Sequence, residues 1–311
     1  MASLPADPPV LTSKSARVKA ARGLARRVSR AQQRLFLAEG PQAVREALDV
    51  DGCVVEVFAV PATAEQHREI FESAAGSGVA WRHVDDAALG ALTETVHPQG
   101  VVAVCRFLDR PLEHILHAGA GGRNRLVAVC ADVRDPGNAG TVIRCADAAG
   151  AEAVVLAGCS VDPYNGKAVR ASAGSLFHVR LAVEPDVSLA VDLLQRRGLQ
   201  VLAADGAGEL TLDDAVDDGL LAGPTAWLFG NEAWGLPDEM AVLANHRVAI
   251  PIHGRAESLN LATAAAVCLY ASARAQRHDT LRLHPQDRTV PTSQPGEVTP
   301  PRPRPPDSTS R

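Results

Sequence analysis

The 311-residue sequence has no apolar run approaching the roughly 18 residues that a membrane span needs; charge or glycine interrupts each candidate. Met1 is not followed by the apolar core of a signal peptide, so a soluble cytoplasmic protein is expected. The six cysteines, Cys53, Cys105, Cys130, Cys145, Cys159 and Cys268, form no CxxC pair and have no histidine at metal-ligand spacing. Buried reduced thiols are therefore expected, and no metal. There is no GxGxxG and no GxxxxGK[ST], which leaves an ordinary dinucleotide fold or a nucleoside-triphosphate site without support.

One absence is local. The net charge is −5, yet SKSARVKAARGLARRVSRAQQR, from Ser13 to Arg34, contains no acid. It carries Lys14, Arg17, Lys19, Arg22, Arg26, Arg27, Arg30 and Arg34. Such a stripe on a helix suits a phosphate backbone, whose counterions it releases; it is also what a solvated basic arm looks like.

The length accommodates two domains, each with its own core. Residues 1–34 read as a disordered and basic N-terminal arm, the first dozen being proline-rich and without periodicity. Over 35–107, the strands FLAEG, VVEVFAV, VAWRHV and GVVAVCRF alternate with the helices GPQAVREAL, TAEQHREIFESAA and DDAALGALTETV, a small α/β domain. Residues 108–124 mix proline, glycine and charge as a linker. From 125 to 277 the strands LVAVCA, AVVLAG, FHVRLA, QVLAAD, TAWLFG and HRVAI recur, with helices between most of them and a long alanine-rich helix at the end. Nearly unbroken apolar strands separated by helices predict a parallel sheet covered on both faces. Residues 278–311 read as a disordered proline-rich tail.

Ligands of open parallel sheets bind at the carboxyl ends of the strands. Three loops stand at such ends: RDPGNAGTVIR after LVAVCA, FGNEAWGLP after TAWL, and PIHGRAESLNLAT after HRVA. In the first, Asn138 is placed to cap a helix, and Arg144 projects from an otherwise small and apolar helix. Asparagine pairs with sugar hydroxyls and the planar arginine fork with phosphate; an ordinary cap and an ordinary salt bridge would use the same residues.

Together, PGNAGTVIRCADAAGA, LFGNEAWGLP and IPIHGRAESLNLATAAAVCLY resemble the three motifs of the SpoU family of RNA ribose 2′-O-methyltransferases, within the SPOUT superfamily. FLAEGPQAVREAL and HPQGVVAV resemble the ribosomal-protein-like substrate-binding domain that many members carry. The resemblance implies a catalytic domain with a deep trefoil knot, S-adenosylmethionine as cofactor, a homodimer, and an RNA substrate, with 23S ribosomal RNA preferred. A transfer RNA target, or an inactive RNA-binding factor in ribosome assembly, are the alternatives.

The resemblance also implies roles for single residues. Asn138, Arg144, Glu232, Ser258 and Asn260 fall at the catalytic positions, with Ser258 also a candidate cap for the last helix. Gly230, Ile250 and Leu259 fall at the cofactor positions. A guanidinium is a poor base at neutral pH, so the role expected of Arg144 is to orient the ribose phosphate and stabilise the developing alkoxide. Lys14, Arg17, Lys19, Arg22, Arg26, Arg27 and Arg30 are the expected RNA contacts of the arm. Trp234 stands where a small or charged residue is also common in the family, and its indole is expected to pack on the cofactor loop or on the partner subunit; the basic arm and the proline-rich tail lie outside the shared pattern.

Overall fold

The structure, a computed structural model, describes residues 9–117 and 126–283, with side chains to residue 277. The chain opens with helices α1 (Ala16–Gly23) and α2 (Arg27–Gln33). The N-terminal unit continues β1 (Leu35–Glu39), α3 (Pro41–Leu48), β2 (Val54–Ala59), α4 (Pro61–Gln66), α5 (Arg68–Gly76), β3 (Ala80–His83), α6 (Asp86–Leu92) and β4 (Val101–Arg106), after which α7 (Leu112–His117) leads to the second unit. Its sheet has the order β1-β4-β2-β3, with β4 antiparallel to both neighbours.

The second unit runs β5 (Leu126–Ala131), α8 (Pro136–Ala149), β6 (Ala153–Ala157), α9 (Gly166–Ser172), β7 (Arg180–Glu184), α10 (Val187–Arg196), β8 (Gln200–Ala204), β9 (Leu210–Thr211) and α11 (Leu212–Asp217). It closes with β10 (Thr225–Phe229), α12 (Asp238–Ala241), β11 (His246–Ala249) and α13 (Leu261–Leu283). All seven strands are parallel, in the order β7-β6-β5-β10-β8-β11-β9.

The period-2 alternation of the strands divides the interior in two. Leu126, Ala128, Cys130, Trp227 and Phe229 face α8 and α13, while Val127, Val129, Ala226 and Leu228 face α10 and α7. Helix α8 fits its side because Ala139, Val142, Ile143, Ala146 and Ala149 make one apolar stripe. Gly140 brings α8 close to α9: a Cβ there would stand 2.3 Å from the Ala168 carbonyl oxygen.

Several expectations are corrected. The segment from residue 9 to 34 is not a disordered arm: Val18, Ala21 and Leu24 are buried against Val84, Leu89 and Val102, and Leu11 N–H donates to His83 O at 2.8 Å. Apolar residues spaced three apart gave it a buried face that the run of charges obscured. Within the linker, Leu112, Ile115 and Leu116 of α7 are buried beneath the second sheet. The linker's glycine cluster lies outside the described residues.

The helix expected over TAEQHREIFESAA is broken at His67 (φ −123°, ψ 58°), and Pro61 starts its first part early. DDAALGALTETV stays helical only to Leu92, after which Thr93 is extended. FHVRLA yields a strand only from Arg180, because Ser175–Phe177 form a 3-10 turn. The final helix reaches Leu283, inside the expected tail; the rest of that tail lies outside the described residues. Cys159 is exposed and Cys145 half-buried, against four buried thiols.

The two units share one joint. Tyr164 stacks on Phe107 at 3.9 Å and lies 4.7 Å from Phe36, and its hydroxyl donates to Asp109 Oδ1 while accepting from the Leu108 and Asp109 N–H groups, all at 2.7 Å. Burial, then the Asp109 charge, push this phenol above its ordinary range, so it stays protonated and donating. Arg170 reaches Glu39 at 3.1 Å and Glu94 at 3.2 Å.

His178 bridges the same joint, with Nε2 2.9 Å from Glu46 and Nδ1 2.9 Å from Asp147 on α8. Glu46 first, then Asp147, hold this imidazole above the usual histidine value. A group whose value is raised by folding adds stability below its unfolded value of about 6.5, and that contribution fades as pH rises through the folded value. Its side chain is 43% exposed, so screening keeps the effect small. His178→Gln is therefore expected to lower the urea midpoint near pH 6 and to match wild type at pH well above the folded value. A deficit independent of pH would mean that the ring acts by packing alone.

Candidate active site

Because the strands of the second sheet are parallel, the loops after β5, β8, β10 and β11 meet at one edge, and the strand order reverses at β5 and β10. The loops after β8, β10 and β11 line a cleft of about 320 Å³, with Asp205, Gly230, Glu232, Ile250, Ser258 and Leu259 in its wall, and the β5 loop stands beside it.

The β5 loop is set by Asp132, which takes a left-handed conformation (φ 55°) and accepts from Cys159 N–H at 2.6 Å. Asp135, not Asn138, caps α8, accepting from Asn138 N–H at 2.8 Å; Pro136 occupies the first helical position and leaves no orphan donor there. Asn138 is thereby freed from capping and lies in the first turn. The Lys167 ammonium, 2.8 Å away, and then the Asn138 N–H hold the Asp135 carboxyl below the usual carboxylate range.

Asn231 pins the β10 loop to the β5 loop. It is buried, its Nδ2 donates to Asp132 O at 2.7 Å, and its backbone exchanges two 2.9 Å hydrogen bonds with Gly235. The turn requires glycine at 230: a Cβ there would stand 2.3 Å from the Gly235 carbonyl carbon.

From that turn Glu232 reaches across. Its carboxylate accepts from Arg134 N–H at 3.2 Å, Asp135 N–H at 3.0 Å and Asn138 Nδ2 at 3.2 Å. Asn260 Nδ2 donates to Asn138 Oδ1 at 3.1 Å, while its Oδ1 accepts from Ala262 and Thr263 N–H. Asn260, not Ser258, therefore caps α13. Burial, and after it the negative field of Glu232, push the Cys130 thiol up to about 12.

The chain Glu232–Asn138–Asn260 thus ties three loops together at the cleft, with Glu232 holding the first loop and Asn138. Ser258 is exposed on the cleft wall, and Gly230, Ile250 and Leu259 line it. Arg144 is not brought to this cluster. Six residues beyond Asn138, it lies about 9 Å further along α8 and on another face, exposed and without a partner among the described residues.

Of the expected RNA contacts, Lys14, Lys19, Arg22, Arg26 and Arg27 are exposed. Arg17 is exposed but pairs with Glu56 at 3.2 Å. Arg30 is a correction: it is 3% exposed, pairs with Asp162 at 2.7 Å and donates to Leu24 O and Ala25 O, so it cannot meet a phosphate. Residues not foreseen are Asp205 and Glu257 on the cleft wall and the pin Asn231. Asp205 directly follows the strand QVLAA, a position that could have marked it.

The donor set fits a cofactor of the S-adenosylmethionine type. Ala204, Val248, Ile250, Leu259 and Leu261 offer apolar contact for a purine, and Asp205, Glu257 and the loop backbone offer partners for hydroxyl and amino groups.

Residues 125–270 match the SpoU rRNA Methylase family, and residues 37–111 match the family described as RNA 2′-O ribose methyltransferase substrate binding. The chain is 33% identical over 262 residues to the 23S rRNA (guanosine(2553)-2′-O)-methyltransferase RlmP of Bacillus subtilis, covering 83% of this chain and 96% of that one. An AdoMet-bound rRNA methyltransferase from Sinorhizobium meliloti is similar in structure, with a TM-score of 0.72 and 31% identity over 85% of this chain and 98% of that one. The SpoU methyltransferase AviRb from Streptomyces viridochromogenes, in complex with AdoMet, matches with a TM-score of 0.72 and 28% identity over 85% of this chain and 100% of that one.

Proposed function

The chain belongs to the SpoU rRNA methylase family, and from that premise we propose its reaction: transfer of the methyl group of S-adenosylmethionine to a ribose 2′-hydroxyl of 23S ribosomal RNA. The observation that carries this reading is the hydrogen-bonded chain Glu232–Asn138–Asn260 at the edge of an open cleft.

When bound, S-adenosylmethionine supplies an electrophilic methyl group. Ile250 and Leu259 would hold its adenine, and the tight turn at Gly230 would present backbone groups to it. Asn138 Nδ2 spends one N–H on Glu232 and keeps one; Asn260 Nδ2 likewise spends one on Asn138. These free donors, with the exposed Ser258 hydroxyl, hold the ribose so that its 2′-oxygen faces the cleft. Glu232 fixes the rotamer of Asn138, which reduces the orientational freedom lost in the transition state. Arg144 takes the phosphate and stabilises the negative charge that develops as the hydroxyl passes its proton to solvent water.

Arg144 takes this role in a homodimer. Tyr270 hydroxyl of α13 lies 3.4 Å from Ala148 O, one helical turn beyond Arg144, and Val267 and Tyr270 are 38% and 52% exposed. Arg144 therefore borders an apolar face suited to a second copy, whose cluster it would complete. The threaded knot belongs to the same reading. Lys14, Lys19, Arg22, Arg26 and Arg27 extend the RNA contact along the N-terminal helices. No helix among the described residues is long and apolar enough to cross a membrane, in keeping with work in the cytoplasm on ribosomal RNA.

Calorimetry with S-adenosylmethionine and transfer of labelled methyl to unmodified 23S ribosomal RNA test the reading, the product being an alkali-resistant dinucleotide. Saturable binding and transfer are expected; the absence of either overturns it. Gly230→Ala should weaken cofactor binding roughly tenfold or more, because the added carbon forces the Asn231–Gly235 turn open. Unchanged affinity would mean that the turn does not touch the cofactor.

A further inference from the structure

The loop after β10 carries an indole that no packing need explains. Trp234 is 56% exposed, whereas Trp227, on the strand that leads into the loop, is fully buried. The backbone around Trp234 is nevertheless held firmly. Asn231 and Gly235 close the turn with two hydrogen bonds, and Glu232 ties it to the Arg134 and Asp135 N–H groups. The Arg134 guanidinium lies 5.8 Å from the centre of the indole ring. It is exposed, and among the described residues it has no carboxylate partner. A rigid, exposed aromatic plane and an unneutralised cation therefore stand together, adjoining the residues that hold Asn138.

We propose that Trp234 and Arg134 form a platform on which an unpaired base of the substrate RNA stacks, beside the ribose held by Asn138 and Asn260. The proposal rests on the reading of the cleft as an RNA methyltransferase site. A ribose can reach donors at the base of converging loops only if its nucleotide leaves the regular helical stack, which forfeits base stacking. Aromatic side chains recover that loss for single-stranded RNA, and every base has a face to offer, so the contact tolerates different sequences. Arg134 supplies a cation to the neighbouring phosphate and polarises the ring.

The full-length protein is titrated with a short oligoadenylate and, separately, with a ribose-phosphate oligomer of the same length that lacks the bases. Oligoadenylate should quench a component of the tryptophan emission that is missing in Trp234→Phe. Trp234→Ala should bind oligoadenylate roughly fivefold to a hundredfold more weakly, and Trp234→Phe should recover most of the loss. The base-free oligomer should bind wild type and Trp234→Ala alike, a distinction that a merely structural role would not produce. With 23S ribosomal RNA as substrate, KM for RNA should rise in Trp234→Ala while affinity for S-adenosylmethionine stays at the wild-type value.

Equal affinity of wild type and Trp234→Ala for oligoadenylate overturns the proposal. So does a change of oligomeric state in light scattering with RNA affinity unchanged, which would make the indole a contact with a second copy. The oligonucleotide titrations need no cofactor, so their outcome stands apart from calorimetry, whose failure would count against the methyltransferase reading itself.

Discussion

Arg144→Ala is expected to slow methyl transfer by on the order of a hundredfold to a thousandfold, the loss typical of removing one donor that stabilises developing negative charge. Cofactor affinity and the urea midpoint should both stay at wild-type values. Arg144 is exposed and has no partner among the described residues, so the fold does not depend on it, and surface substitutions of this kind usually change stability by less than about 0.5 kcal/mol. Single-turnover transfer to 23S ribosomal RNA measures the effect.

The same variant tests the dimer. If Arg144 serves the cluster of a second copy, mixing inactive Arg144→Ala with inactive Asn138→Ala should restore activity, because each mixed dimer assembles one intact site. No recovery in mixtures shown to exchange subunits would place Arg144 in the site of its own protomer. Wild-type turnover in Arg144→Ala would make it an ordinary surface residue.

Arg30→Ala is the second large effect, and it falls on stability. The guanidinium makes two bonds to Asp162 Oδ2, at 2.9 and 2.7 Å, and two to the Leu24 and Ala25 carbonyls. The side chains are 4% and 12% exposed, so removing the cation strands a nearly buried carboxylate and two carbonyls at once. Breaking a buried pair from one side costs about 3–5 kcal/mol. Arg26→Ala and Arg27→Ala, at exposed positions, should change stability little. Urea unfolding separates the cases; an Arg30→Ala protein that unfolds like wild type but loses RNA affinity would return Arg30 to the RNA surface.

Arg30 also shows what the sequence concealed. A run of eight cations without an acid reads as one surface, yet whether each cation meets solvent depends on a partner far along the chain, here Asp162. Local pattern served better where the physics is local. The strands of both sheets, β9 excepted, stand close to where alternation and apolar runs put them, because burial on one or both faces dictates those patterns, and the two residues of β9 are too few to carry one. The cap of α8 was misplaced by three residues, since Asp135 and Asn138 are both good caps and only the position of Pro136 decides between them.

The site was legible as residue types in three loops. Which of those residues meet was not, because contact between Glu232, Asn138 and Asn260 depends on how β10 sits beside β5. Asn231 looks in the sequence like a plain neighbour of Glu232, because the bond by which its buried amide joins the two loops is made to a backbone carbonyl 99 residues earlier.

The position of β10 also constrains how the chain reaches this state. β5 hydrogen-bonds on one side to β6, which follows it closely, and on the other to β10, whose Thr225 pairs with Leu126 about a hundred residues earlier. At synthesis rates of about 5–20 residues per second, that flank of β5 waits roughly 5–20 s for its neighbour after leaving the ribosome. Its main-chain groups and the apolar residues Val127 and Val129 are meanwhile open to mispairing, the hazard that attends strand pairing over long separations. Assembly of the cleft is therefore a late event: its floor closes only when β10 arrives, and a ribosome paused before Thr225 would hold a chain able to aggregate but not to bind its cofactor.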